Sequence, residues 1–422
     1  MKVLWITNIP VGEAGLIFYN QKTSGLWMDV ALEDFKYDNT YELYIATCGN
    51  IKNTKVRNDE NITYYLLPDK VGYEYHANKK SNLDAIHAML GDVQPDIIHF
   101  WGTENQLILD IITCNQNKIP MLVYIQGVVN SLDRYFTAGL TTKEIIFNTT
   151  IMDVLKGTGI YNQIKRYKKQ SLHEKSVVIQ VKNIVGENIW SKAYYKAICK
   201  DVKFYDVPLY INQCFKNYQW NIETVTQYSI MCNSASYSIK GLHMLLKAIA
   251  LLKTSYPTIK LYVPGDNPVG KSDFKSKIRY TGYIKYLNKL IAELDLLDSI
   301  VFLPFLTPDQ MAEQMMKSHV YVVPSAIENH SSSLKEAMLV GIPSIGTYVG
   351  GVSEYVKHGE NGYLYRFEEP EVLAYLISNI FNSNELANKL SINGKKDMID
   401  MHFNYNIHKR MKEIYKHVLG EY

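Results

Sequence analysis

The stretch 324–346, PSAIENHSSSLKEAMLVGIPSIG, sets two glutamates, Glu328 and Glu336, eight positions apart, with Asn329, His330 and the serines Ser331, Ser332 and Ser333 between them. VYVVPS before it reads as a buried strand. SLKEAMLVG reads as a helix that Ser332 or Ser333 caps and Gly341 stops. The unit is therefore strand, polar loop and helix N-terminus. Free backbone N–H groups and the helix dipole at such a terminus attract phosphate, and small serines let the backbone approach it closely. A carboxylate there does not bind phosphate; it accepts hydrogen bonds from hydroxyls. The stretch thus asks for a ligand with both a phosphate and a polyol, a nucleotide-sugar. A capped helix carrying two solvated acids is the plainer alternative.

A second element has the same build. YSIMCNSASYSIKGLHMLLKAI reads as a strand, a Ser-rich turn with Ser234 and Ser236, then Lys240-Gly241 and a helix. A lysine beside a strand-to-helix turn suits a diphosphate. In the first half, His99 and Glu104 around DIIHFWGTE could meet a sugar or an acceptor, as well as being a core histidine and a surface acid. The segment 155–175 carries Lys156, Lys165, Arg166, Lys168, Lys169 and Lys175 interleaved with Tyr161, Ile164 and Tyr167. That pattern suits an anionic membrane surface and equally a solvated helix face.

The elements that must position these residues alternate. Strands are expected at 2–9, 41–49, 62–68, 96–102, 121–127, 176–186 and 202–208, then at 228–234, 260–265, 299–306, 320–325, 343–348 and 362–367. Helical patterns separate them. Alternation of this kind predicts parallel sheets covered by helices on both faces. The chain has 422 residues, enough for two such domains. The break is expected near 210–227, giving domains 1–215 and 216–400, with 401–422 a C-terminal helix packing back on the first. Strand ends such as CGN, WGT, QGV, NSAS, PGD and PSAIE carry small polar residues where parallel sheets bind ligands, so they are expected to converge on a cleft. A net charge of +3 is too mild to argue for nucleic acid. The five cysteines form no CxxC pair, so neither a disulfide framework nor a zinc site is expected. MKVLWITNIP is interrupted by Asn8 and Pro10 too early for a signal peptide, and a cytoplasmic protein is expected.

With these residues in place, the sequence resembles the retaining glycosyltransferases of family 4, whose fold is GT-B: α/β, with two Rossmann-like doubly wound domains facing across a cleft. The resemblance is most specific in PSAIENHSSSLKEAMLVGIPSIGTYVGGVSEYVKHGENGYLY, which follows the pattern P-S-x-x-E-x7-E-A-x3-G-x-P and continues through Gly350, Gly351 and Glu354. In the first half, PDIIHFWGTE, PMLVYIQGVV and VVIQVKNIVGENIWSKAYYKAI look like a subgroup of bacterial cell-surface polysaccharide enzymes. The resemblance implies that Glu336 hydrogen-bonds the ribose and that Glu328 sits at the donor sugar. It implies that Asn329, His330, Ser331, Ser332 and Ser333 surround sugar and diphosphate with Leu334 nearby, and that Lys240 neutralises the leaving diphosphate, which makes Glu328 and Lys240 the catalytic candidates. Phe305 and Leu306 would pack on the base, and Gly12 and Gly15 would line the N-terminal loop.

Two departures stand out. The family's usual arginine five residues before the lysine is here Ala235, and its usual His-Gly is Gln126-Gly127. Gln126 can hydrogen-bond a sugar hydroxyl but cannot shuttle a proton. No D-x-D motif is found, so neither a metal nor another cofactor is expected. The expectation is transfer of a hexose-type sugar from a nucleotide-sugar, with UDP as the nucleotide, to a glycan or lipid-linked acceptor in surface polysaccharide synthesis. Anomeric configuration would be retained, and the work would be done in the cytoplasm or at the inner face of the plasma membrane. A nucleotide-sugar 2-epimerase and a non-catalytic nucleotide-sugar-binding subunit are the alternatives.

Overall fold

A computed structural model describes residues 1–20, 27–68, 80–125, 127–232, 237–265, 269 and 280–421. The chain forms two compact units. One gathers 1–130, 168–211 and 405–422; the other gathers 131–167 and 212–404.

The sheet of the first unit contains β1 (Lys2–Thr7), β2 (Glu42–Gly49), β3 (Lys55–Asp59), β4 (Ile62–Pro68), β5 (Ile97–Trp101), β6 (Met121–Tyr124), β7 (Asn183–Gly186) and β8 (Lys203–Asp206). Their order is β3-β4-β2-β1-β5-β6-β7-β8. All neighbours run parallel except β3, which pairs antiparallel with β4 at the edge. Val3 and Trp5 of β1 join one core while Leu4 and Ile6 join the other. Both faces are therefore covered, as a parallel sheet requires. The sheet of the second unit contains β9 (Ser229–Met231), β10 (Lys260–Pro264), β11 (Ile300–Leu303), β12 (Val320–Val323), β13 (Ser344–Thr347) and β14 (Tyr363–Tyr365), in the order β11-β10-β9-β12-β13-β14. Counted from its own first strand this is 3-2-1-4-5-6, the dinucleotide-binding order, whose direction reverses between β9 and β12.

Three expectations change. The expected strand at 176–186 is a strand only at Asn183–Gly186; the residues before it complete the helix Ile160–Val181, where Val177, Val178 and Val181 are buried at helical spacing. β3 was not foreseen because KVRND is exposed and lacks an apolar alternation. The segment 131–167 clusters with the second unit although its sequence lies inside the first.

The C-terminal helix Ile407–Leu419 packs against the helix Trp27–Lys36 of the first unit, with the Phe35 and His408 rings 4.7 Å apart. Asp38 anchors it: Lys412 Nζ donates to Asp38 at 2.6 Å, and His408 Nε2 lies 2.7 Å from the same oxygen. Burial raises the Asp38 pKa, but hydrogen bonds from Lys412, Thr40 and His408 outweigh it and hold the carboxyl below its ordinary range. Its contribution is therefore present above the unfolded pKa near 4 and is lost as the pH falls toward the depressed value. Asp38→Ala should lower stability by about 1–3 kcal/mol at pH 7, read by urea denaturation, and the difference from wild type should shrink in acid. A constant difference across that range would show that the ion pair is not the cause.

Candidate functional site

In the second unit, the turn that follows β9 and the loop that follows β12 flank the point where strand order reverses. Their backbones approach so closely that only glycine fits. A Cβ on Gly241 (φ +70°) would lie 1.7 Å from the Pro324 carbonyl oxygen, and one on Gly350 (φ +53°) would lie 1.8 Å from the Glu328 carbonyl oxygen. The loop 324–328 is thus clamped between two glycine turns. Ala326 N donates to the Ile239 carbonyl at 2.8 Å, Gly351 N to the Glu328 carbonyl at 3.2 Å, and Thr347 Oγ1 to the Ser325 carbonyl at 2.7 Å.

The clamp brings Lys240 and Glu328 together. Lys240 Nζ donates to Glu328 Oε1 at 2.6 Å, and Ser325 Oγ donates to the same oxygen at 2.6 Å. The Glu328 side chain is 12% exposed, and its Oε2 has no partner among the described residues. Burial lowers the Lys240 pKa, but the attraction of Glu328 outweighs it and the net shift is upward, so the lysine stays charged.

The helix Ser332–Val340 starts beyond this pair. Its N-cap is Ser331, one residue earlier than Ser332 or Ser333, in a left-handed conformation (φ 36°, ψ 69°) without a side-chain cap bond. The Ser331 hydroxyl is buried without a hydrogen-bond partner among the described residues. A β-substituted residue held this way stores strain of the kind that gathers at binding sites. Leu334 and Lys335 N–H both point at the Ser331 carbonyl, and those of Ser332 and Ser333, the first two helical residues, have no such acceptor. Gly341 ends the helix at φ 90°.

Glu336 lies one turn further on, half-buried and without a hydrogen bond among the described residues. Burial pushes its carboxyl up to about 7. Leu334 is fully buried, with a methyl 2.9 Å from where a Gly346 Cβ would sit, so its side chain packs the core beneath the loop. Asn329 and His330 are buried in the loop. Phe305 is 79% exposed and Leu306 half-buried after β11. Ser234, Ala235, Ser236 and Gln126 lie outside the described residues.

Two contributors were not singled out from the sequence. Ser325 carried a signal only within the motif, in which Gly350 was already named. Lys335, fully buried with Nζ 4.7 Å from the Tyr355 ring centre, carried none because its neighbours made it look like a surface helix position.

In the first unit, β1 and β5 flank the corresponding reversal. Asn8 Nδ2 donates to Glu104 Oε1 at 2.8 Å and Thr103 N to Oε2 at 2.9 Å. Burial raises the Glu104 pKa, and these bonds offset only part of it. His99 is corrected to the core: it is 0% exposed, stacks on Trp101 at 4.4 Å, and its Nδ1 lies 2.7 Å from the Tyr415 hydroxyl. Burial holds its pKa down at about 3, so it is neutral. Gly15 is buried in the helix Ala14–Tyr19.

Residues 216–397 match the family model described as "Glycosyl transferases group 1". Over 181 residues, 43% of this chain, the sequence is 24% identical to an uncharacterised glycosyltransferase, YqgM, of Bacillus subtilis, of which 46% is covered. The chain spans less than half the length of the curated relatives it matches. Among solved structures, sucrose-phosphate synthase from Thermosynechococcus elongatus is similar with a TM-score of 0.72 at 16% identity, over 100% of both chains. HepE of Anabaena, solved in complex with UDP-glucose, is similar with a TM-score of 0.67 at 14% identity, again over 100% of both. The fold is GT-B: two α/β domains with parallel sheets.

Two tests follow. Gly241→Ala and Gly350→Ala each need a carbonyl to move by more than 1 Å, so each should destabilise the second unit by about 2–4 kcal/mol; calorimetry showing wild-type stability would remove the clamp. Glu336 is a carboxyl whose folded pKa is raised, so it costs stability fully above about pH 7 and not below its unfolded value of 4.5. Glu336→Gln should therefore raise Tm by a few degrees at pH 8 and leave it unchanged at pH 4, whereas an equal effect at both would place the carboxyl in water.

Proposed function

We propose that this protein transfers a hexose-type sugar from a nucleotide-sugar, UDP being the nucleotide, to a glycan or lipid-linked acceptor of a surface polysaccharide. The observation that carries the reading is the Lys240–Glu328 pair clamped beside an uncapped helix N-terminus at the strand-order reversal. The match of this same domain to group 1 glycosyl transferases supports it, as does the likeness to a fold solved with UDP-glucose, and both favour transfer over the epimerase alternative.

The donor diphosphate lies, in this reading, at the N–H groups of Ser332 and Ser333, with the Ser331 hydroxyl turning to it. Lys240 swings from Glu328 to the diphosphate oxygens, whose charge grows as the anomeric C–O bond breaks. Glu328, released from Lys240, accepts from the sugar hydroxyls, and Glu336 accepts from the ribose. Phe305 and Leu306 flank the base. Lys240 and the backbone supply this stabilisation themselves, so the reaction as proposed uses no metal. Retention follows if the diphosphate oxygen takes the acceptor proton on the face it leaves. Glu104 is the acceptor-side candidate of the first unit, with Gln126 for a sugar hydroxyl. The site of action is the cytoplasm and its membrane face.

Calorimetric titration with UDP tests the donor site. Lys240→Ala should weaken binding about 10–100-fold, the worth of a charge-assisted hydrogen bond. Ribose hydroxyls prefer the ionised acid, so wild-type affinity should rise with pH up to about 7 and then level; Glu336→Gln should bind about tenfold more weakly and lose that rise. Glu328→Gln should mainly slow turnover of UDP-sugar. Unchanged UDP affinity in both Lys240→Ala and Glu336→Gln would overturn the assignment.

A further inference from the structure

The segment 142–156 folds as two short helices, Thr142–Asn148 and Ile151–Lys156, and turns its apolar side chains the wrong way for a core. Ile151, Val154 and Leu155 stand at i, i+3 and i+4, the spacing of one helix face, yet they are 78%, 71% and 74% exposed. Ile146 and Phe147 of the preceding helix are 60% and 69% exposed. The buried face, apart from Ile145, holds polar groups instead. Asp153 is 1% exposed; it closes a capping box with Thr150 and accepts from Gly282 N at 2.6 Å. Glu144 closes a second capping box with Thr141 and accepts from the Tyr286 hydroxyl at 3.3 Å. Both acids are thereby held in the fold.

The charge left outside is positive. Lys143 and Lys156 are exposed at the two ends of the segment, with Lys143 Nζ 5.9 Å from the Phe147 ring centre. Exposed Lys285 donates to the Phe147 carbonyl at 3.1 Å. Five large apolar side chains on consecutive short helices, ringed by lysines with the local acids turned inward, match a bilayer with an anionic surface: the apolar groups enter among the acyl chains and the lysines meet the headgroups. Of the basic aromatic segment 155–175, Leu155 and Lys156 belong to this face, whereas Tyr167 packs on Phe136 with ring centres 5.0 Å apart.

We propose that the helices Thr142–Asn148 and Ile151–Lys156 dock this protein on an anionic phospholipid surface, with Ile146, Phe147, Ile151, Val154 and Leu155 inserted into the interface. Docking stands on this segment alone; only the further step, that it brings a lipid-linked acceptor within reach, rests on the transferase reading.

Sedimentation with vesicles tests it. Wild-type chain should pellet with vesicles of phosphatidylcholine and phosphatidylglycerol and not with phosphatidylcholine alone, and added salt should weaken the binding. The triple variant Phe147→Ser, Ile151→Ser, Leu155→Ser should lower the partition coefficient about tenfold or more. Lys143→Glu with Lys156→Glu should lower it on anionic vesicles. All substituted side chains are exposed, and an unchanged Tm and UDP affinity would verify that the variants fold. Absence of pelleting by wild type, or pelleting that the triple variant retains, would overturn the proposal. So would a dimer in analytical ultracentrifugation that the triple variant dissolves while vesicles bind neither protein, because the face would then be covered by a second copy. A failure of UDP binding would count against the transferase reading and leave the vesicle result standing.

Discussion

The second unit turns on an approach of backbones that no side chain would allow. The carbonyls of Pro324 and Glu328 occupy the positions that a Cβ on Gly241 and on Gly350 would need. With the loop held between two turns, Glu328 can extend only toward the end of β9, where Lys240 meets it. The same restraint sends the chain into the helix Ser332–Val340 through a left-handed Ser331. Such a residue and a buried hydroxyl without a partner among the described residues each cost stability. Burial of Leu334, Ala337, Met338 and Leu339 beneath the loop offsets that cost. Strain is thus concentrated where the helix begins, and the apolar core under it holds it in place.

The electrostatics answer the difficulty of placing two acids at a phosphate-binding turn. Two free carboxylates would repel a diphosphate and cancel the positive end of the helix. The structure disposes of each charge differently. Glu328 is neutralised by Lys240 at 2.6 Å. Glu336, pushed up to about 7 by burial and with no partner among the described residues, carries only part of a charge near neutral pH. The N-terminus of the helix keeps its positive field, and both acids stay available to hydroxyls. Among the described residues, Lys240 and the helix N-terminus supply positive charge at this turn.

Much of this was legible from residue types. Alternating apolar runs gave the parallel sheets, because strands buried on both faces need continuous Val, Ile and Leu. Small residues at strand ends marked the reversal point, since glycine and serine are what close backbone approach demands. The region 176–186 misled because Val, Ile and Ser fit either element until the helical spacing of the buried valines is known. That Lys240 and Glu328 serve one site was legible, but their direct ion pair was not, since they are 88 positions apart and only strand order makes β9 and β12 neighbours. Membership of 131–167 in the second unit was likewise hidden. It depends on Asp153 finding the Gly282 amide, a contact between residues 129 positions apart.

That segment is joined to the unit by directional bonds as well as by the buried Phe136, Ala138, Leu140 and Ile145. Thr150 Oγ1 donates to the Tyr280 carbonyl at 3.0 Å, Asp153 accepts from Gly282 N, and Ser238 Oγ donates to the Phe136 carbonyl at 2.6 Å. Burial holds the His243 pKa at about 4, so the ring is neutral; its Nε2 donates to the Ala138 carbonyl at 2.9 Å and its Nδ1 accepts from Tyr283. Behind the seam lies a cavity of about 370 Å³ lined by Leu140, Ile145 and Tyr237, among others. Hydrogen bonds of this kind fix orientation where apolar packing would tolerate sliding. One of them begins on Ser238, two residues from Lys240. That bond ties Phe136, which precedes the first exposed helix in the chain, to the turn that presents the lysine.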